Sequence, residues 1–267
     1  MLTRSHGLGN DYLVADPAEL PFGVTPPRVQ LLCDRHVGVG SDGLLVLDGE
    51  RGVRIFNPDG SEAEKSGNGL RIFARWLVDT GRARTRRFVV HTRGGDAAVE
   101  VFPDGHVTVG MGVPRFRDDL TSLDVGGLHL AVVALSIGNP HCVVQRSELD
   151  VAELRRLGPL IERHPAFPER TNVQFARAAA RDHVELLIWE RGAGETRASG
   201  SSACAVVAAC DRLGLVDAAT EVTASMPGGD LRIRIDQRGS LHMRGPVEEV
   251  ARISLSPDLI ARLQALP

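Results

Sequence analysis

Two short loops carry the residues best suited to chemistry, Ser66-Gly67-Asn68-Gly69 and Ser199-Gly200-Ser201-Ser202, each followed by an apolar run. A serine–glycine pair ahead of a helical run places the serine at a helix N-terminus. There the first N–H groups lack intrahelical partners and the helix dipole is positive. Such an end holds an anion, and a small substrate with a carboxylate suits it. The same residues also serve as plain N-caps, with glycines needed only for the turns. Both readings stay open.

Other polar clusters border apolar segments: Asn10-Asp11, Asn57, Asn139-Pro140-His141 and Thr171-Asn172-Val173. Each asparagine offers a donor and an acceptor, so several converging suit a zwitterionic amino acid, while one at a turn satisfies local backbone instead. His141 reads equally as an acid/base group and as a buried histidine with one fixed partner. Glu190-Arg191 precedes the flexible run Gly192-Ala193-Gly194-Glu195-Thr196, and an arginine at a strand end can clamp a carboxylate bidentately. Gly38-Val39-Gly40-Ser41-Asp42 lacks both the GxGxxG spacing and the Walker lysine of nucleotide loops. His36, His164 and His183 show no metal-ligand spacing, and neither a metal nor a cofactor is expected.

The elements that must position these residues occur twice. Ile55 to Gly69 lies over Ile188 to Ser202 without a gap, at a constant offset of 133 residues that also matches Gly81 to Gly214. Each copy reads as a short apolar strand (Gly52 to Phe56, Val184 to Trp189), a glycine-rich loop and an apolar helix (Leu70 to Val78, Ala203 to Cys210). Leu149 to Glu162 and Pro257 to Leu266 predict further helices, and most other apolar segments read as strands with turn signals between them. A solenoid needs three or more short repeats, so one copy half the chain long implies two similar domains. The expected fold is mixed α/β: two similar strand-rich domains related by a pseudo-twofold axis, each with a central helix, and the active site in the cleft between them. The expected boundaries are 1–117, with 252–267 packing back on it, and 118–251.

Composition narrows the function classes. The chain has 267 residues and a formal net charge of -3, which excludes a strongly basic nucleic-acid binder. Its four cysteines, Cys33, Cys142, Cys204 and Cys210, form no CxxC pair, which argues against a disulfide scaffold or a cysteine-rich zinc site. The first residues lack the apolar core of a signal peptide, and no apolar run is long enough to span a membrane. The expectation is a soluble cytoplasmic protein with a small-molecule partner, no nucleic acid and no membrane.

The set Gly7-Leu8-Gly9-Asn10-Asp11, Asn57-Pro58-Asp59-Gly60-Ser61, Ser66-Gly67-Asn68-Gly69-Leu70-Arg71, Gly138-Asn139-Pro140-His141, Thr171-Asn172-Val173 and Glu190 to Thr196 resembles the diaminopimelate epimerases. It runs through nearly the whole chain in order. The resemblance implies an isomerase of amino acid biosynthesis, on the lysine route, that converts LL-diaminopimelate to the meso form without a cofactor, as a homodimer. It also implies that Asn10, Asn57, Asn139, Asn172 and Arg191 hold the substrate's two ends, and that Gly67, Asn68, Gly200 and Ser201 receive the reacting carboxylate. Glu190 and His141 would line the reacting centre. Family members place a cysteine at each helix start as an acid/base pair; the aligned positions here are Ser66 and Ser199. Gly43 stands where some members have glutamine.

A thiol titrates near 8.5 and an alcohol lies toward water at 15.7, so a gap of even about 5 units is roughly 7 kcal/mol of proton affinity. A helix terminus offers about 2 kcal/mol at most, so the simple two-thiol mechanism is excluded for this sequence. Three expectations follow. In the first, Ser66 and Ser199 remove and return the proton, with Lys65 or His141 as helper. In the second, a related racemase or lyase uses a different base. In the third, the chain binds the amino acid without turnover.

Overall fold

In the computed structural model, which describes residues 1–267, strand Leu2–Gly7 turns back onto Asn10–Ala15 through Leu8-Gly9. Both turn residues have positive φ, 58° and 84°. That is the geometry of a two-residue hairpin turn whose twist matches its strands. The helices are α1 (Pro26–Cys33), α2 (Gly67–Asp79), α3 (Val151–Glu162), α4 (Gly200–Arg212) and α5 (Pro257–Ala265), set among many more strands. The fold is mixed α/β and strand-rich. The chain divides into two compact units, Met1–Val109 with Gly245–Pro267, and Gly110–Arg244.

In the first unit Asn10–Ala15 lies parallel to Leu44–Asp48, which pairs antiparallel with Gly52–Phe56. Glu248–Ile253 brings the C-terminal segment onto the free side of Leu2–Gly7. Side chains alternate across this sheet. Leu13, Leu44 and Val46 point to one face and join Val29, Leu32 and Leu263 of α1 and α5 in a single core. The opposite face receives α2, whose Leu70, Ile72, Phe73 and Leu77 are all buried. Each such side chain contributes about 1.5–3 kcal/mol on burial.

In the second unit Pro140–Gln145 runs parallel to Asn172–Ala180, which pairs antiparallel with His183–Glu190. Leu154, Leu157 and Ile161 of α3 pack on Cys142, Val144, Val173 and Phe175. Gly158 lets α3 approach the sheet, because a Cβ there would come within 2.8 Å of the Trp189 ring. The other central helix, α4, is buried from Ser202 to Cys210, as its nearly continuous apolar composition requires.

The sequence repeat is a structural repeat. Ile55 pairs with Ala63 and Phe56 with Glu62; Ile188 pairs with Thr196 and Trp189 with Glu195, the same register 133 residues on. The helix that follows starts at Gly67 in one unit and Gly200 in the other, and both end on a left-handed glycine, Gly81 (φ 71°) or Gly214 (φ 69°).

Candidate active site

The loop before α2 is built around Ser66. Its Oγ accepts a hydrogen bond from Gly69 N–H at 3.1 Å, a true N-cap, and lies 3.2 Å from the Tyr12 hydroxyl. The N–H groups of Gly67 and Asn68 begin the helix. Asn68 is nearly buried and donates to Asn10 Oδ1 at 3.4 Å, while Asn10 donates to Asp42 Oδ2 at 3.2 Å. Asp42 also accepts from Asp11 N–H at 3.1 Å and pairs with Arg35 at 2.7 Å. Asp11 sits between Arg35 and Arg4, each within 2.8 Å. Burial pushes its carboxyl up, and the hydrogen bonds from Arg35 and Arg4 more than reverse this, leaving it below the usual range. Asn57 is not drawn into this group. Its amide donates to Ser61 Oγ at 3.0 Å, closing its own turn.

The loop before α4 uses its serine differently. The Ser199 hydroxyl gives no cap to its helix. It donates instead to Glu190 Oε2 at 3.3 Å, while Thr196 donates to Glu190 Oε1 at 2.7 Å. The first-turn N–H groups at Gly200, Ser201 and Ser202 therefore have no capping side chain. Burial raises the Glu190 carboxyl above the ordinary carboxylate range, and the Thr196 and Ser199 hydroxyls only partly offset it.

Around this loop, Asn172 accepts from Arg191 N–H at 3.0 Å and donates to Pro140 O at 2.9 Å. The Arg191 guanidinium donates to Glu169 O at 3.1 Å. His141 is fully buried between Asn139 Oδ1 and Gln174 Nε2, each 3.0 Å away, and Gln174 also donates to Ser202 Oγ at 2.9 Å. Burial pushes the His141 imidazole down to about 3, so it stays neutral. With Gln174 donating to Nδ1, the network assigns the ring proton to Nε2, where it orients Asn139.

Backbone strain marks the approach to two of the asparagines. The non-glycine residues with positive φ are Leu8 and Arg170, two positions before Asn10 and Asn172. Glu162, buried at the end of α3, accepts from Trp189 Nε1 at 2.8 Å and Gly192 N–H at 3.0 Å, and so holds the run that carries Glu190 and Arg191.

The family profile described as diaminopimelate epimerase matches residues 2–117 and 133–250. The chain belongs to the diaminopimelate epimerase family. It is 41% identical over 278 residues to diaminopimelate epimerase 2 of Nostoc sp. (strain PCC 7120 / SAG 25.82 / UTEX 2576), covering 97% of this chain and 96% of that protein. It is 43% identical over 260 residues to diaminopimelate epimerase of Synechococcus sp. (strain JA-3-3Ab), covering 87% and 90%. In fold it is similar to a predicted epimerase from Pseudomonas aeruginosa (TM-score 0.70, 18% identity, 95% and 98% covered). A hydroxyproline epimerase from Agrobacterium vitis has a similar fold (TM-score 0.68, 15% identity, 94% and 90% covered). As a diaminopimelate epimerase family member, the chain is an isomerase of the epimerase/racemase type that acts on a small amino-acid-like molecule.

Family membership stands, but the serine pair as its acid/base machinery is corrected. The chain retains four buried thiols outside any disulfide, Cys33, Cys142, Cys204 and Cys210, so thiol chemistry has not been lost from the molecule. The two hydroxyls are also engaged elsewhere, Ser66 as a cap and Ser199 on Glu190. The reaction therefore needs a base other than Ser66 and Ser199. Burial holds Cys142 and Cys210 up at about 12 and also raises Cys33. No group of three or more His, Cys, Asp or Glu residues is placed to hold a metal, and no helix is long and apolar enough to cross a membrane.

Sequence reasoning missed Tyr12, Gln174 and Glu162. Tyr12 carried a usable signal, as the single tyrosine of the chain beside Asn10-Asp11. Gln174 and Glu162 lie in ordinary strand and helix contexts, and only their burial reveals them.

Proposed function

We propose that this protein epimerises a diaminopimelate-like amino acid and that Glu190 is the base that removes the α-proton. The observation that carries this reading is the Glu190 carboxyl itself, half-buried, raised in pKa, and aimed by hydroxyls on both oxygens. A carboxylate raised toward the working pH is better matched to a carbon acid than an ordinary one. The α-carbon–hydrogen bond breaks, the proton goes to Glu190, and the electron pair delocalises into the substrate carboxylate. The uncapped first turn of α4, at Gly200 and Ser201, offers N–H donors for the charge that grows there. Asn139, Asn172 and Arg191 of the same unit supply further donors and acceptors for carboxylate and ammonium groups. His141 acts through Asn139 as a neutral positioning group. The relatives named diaminopimelate epimerase support that substrate class.

The test is incubation with LL- or meso-diaminopimelate and separation of the stereoisomers by chiral chromatography. Interconversion lost in Glu190→Gln supports the reading. Conversion of a different amino acid alone refutes the substrate, and full activity in Glu190→Gln refutes the base.

A second reading makes a retained thiol the base, favoured by the four cysteines that stay outside any disulfide. Cys204, in α4 five residues beyond Ser199, is the thiol nearest that loop in the chain. Cys204→Ala and thiol alkylation separate the two: undiminished activity supports Glu190, and its loss supports the thiol.

A further inference from the structure

We infer that Gln174 is a positioning residue for Asn139: it fixes the tautomer of His141 and, through that ring, turns the Asn139 amide so that its nitrogen faces the ligand. The inference rests on the epimerase reading above and deepens it. All the residues involved lie in the second unit.

Strand geometry brings them together. Pro140–Gln145 and Asn172–Ala180 run parallel, with His141 opposite Asn172 and Val143 opposite Gln174. Side chains alternate along each strand. Cys142, Val144, Val173 and Phe175 face the α3 core, so His141 and Gln174 share the opposite face, where Ser202 of α4 meets Gln174. His141, Gln174 and Ser202 are each 0% exposed.

The buried amide has one orientation that fits. Gln174 Nε2 lies 3.0 Å from His141 Nδ1 and 2.9 Å from Ser202 Oγ, which uses both of its protons. Its Oε1 is buried without a hydrogen-bond partner. The reversed amide would strand two N–H donors in that place instead of one carbonyl oxygen, and orphaned donors are the rarer case. A methionine would fill a similar volume with no orphaned oxygen, so the glutamine is explained by what its two N–H groups hold. Ser202 anchors one of them, and the other takes the Nδ1 lone pair. The ring, kept neutral by burial, then carries its proton on Nε2 and donates it to Asn139 Oδ1 at 3.0 Å. With Oδ1 committed, half-buried Asn139 offers its Nδ2 protons and so selects a hydrogen-bond acceptor on the substrate. A proton on Nδ1 would make Nε2 an acceptor and reverse the Asn139 amide.

The tautomer is read by nitrogen-15 NMR of the imidazoles at neutral pH, on wild type and Gln174→Met, with the His141 signals assigned by their loss in His141→Gln. Wild type is expected to show a single form protonated at Nε2. Gln174→Met removes the donor at Nδ1 and is expected to show both tautomers. Wild-type His141 protonated at Nδ1, or a Gln174→Met spectrum that keeps the Nε2 form alone, overturns the inference. Kinetics of diaminopimelate epimerisation test the route to the ligand. Gln174→Met should raise KM by roughly tenfold, the worth of about one hydrogen bond, with kcat changed far less. Because Gln174 acts through Asn139, Gln174→Met should add nothing to the KM of Asn139→Ala in the double variant. Increases that multiply overturn that route. A wild-type protein that epimerises no amino acid overturns the epimerase reading, while the tautomer spectra still decide whether Gln174 sets the His141–Asn139 pair.

Discussion

Ser199 donates its hydroxyl to Glu190 Oε2 at 3.3 Å, and so leaves α4 without a side-chain cap. At the same place in the first repeat, Ser66 keeps its oxygen on Gly69 N–H and caps α2 in the ordinary way. Identical residues at matched positions thus do different work, and the difference lies in whether a carboxylate stands beside the loop. In the second unit the hydroxyl aims a half-buried carboxylate, and the helix end stays open to a negatively charged ligand. In the first unit the cap is closed, and the Ser66 oxygen also lies 3.2 Å from the Tyr12 hydroxyl.

Ser66→Ala should therefore destabilise the protein by about 1 kcal/mol, the usual loss of an N-cap. Ser199→Ala should cost clearly less, because no cap is removed. Urea denaturation of both variants at neutral pH measures the difference, and equal losses would contradict the capping assignment.

Glu190→Gln should abolish turnover without lowering stability at neutral pH. The folded protein holds this carboxyl above the ordinary 4.5, burial being the main cause. The unfolded chain therefore ionises first as pH rises, and stability falls through the window from about 4.5 up to the folded pKa. The glutamine variant lacks that loss. Its melting temperature relative to wild type should rise across this window and then level off; a variant that melts lower at every pH would contradict the assignment.

Much of the fold was legible because the chain repeats its signals. Ser-Gly followed by an apolar run announced both α2 and α4, and the glycines ending them read correctly as stops. The helix α1 was not legible: Pro26-Pro27 looks like a breaker, although proline is welcome in a first turn whose N–H groups need no partner. The hairpin at Leu8-Gly9 was hidden because leucine is no turn residue; here it takes a left-handed φ imposed by the strands on either side. At the site, the polar residues could be named from sequence, but their partners could not. Asn57 proved to close its own turn, and the engagement of Ser199 with Glu190 depends on a strand and a loop meeting nine residues apart.

The strained turn makes its own prediction. Leu8→Asn creates Asn-Gly, the preferred pair for a turn with two positive φ values. Relief of the left-handed leucine should raise stability by about 1 kcal/mol, read as a higher urea midpoint with an unchanged slope. A lower midpoint would show that the leucine side chain contributes more than its backbone costs.

His141 predicts an acid sensitivity. Burial holds its folded pKa near about 3 against 6.5 for a free imidazole, so the unfolded chain gains a proton that the folded one refuses. Stability present above pH 6.5 is lost as pH falls toward 3, by at most about 1.4 kcal/mol per pH unit. His141→Gln should flatten that slope. An imidazole resonance of His141 that titrates between pH 5 and 8 would contradict the burial argument.

The central claim is that this family member removes an α-proton with Glu190 and not with its serines. It is tested most directly by α-proton exchange of diaminopimelate in D2O, followed by NMR for wild type, Glu190→Gln and the double variant Ser66→Ala, Ser199→Ala. Exchange by wild type, retained within about tenfold in the double serine variant and lost by roughly 100-fold or more in Glu190→Gln, is the predicted result. Exchange that survives in Glu190→Gln but disappears with the two serines would contradict it.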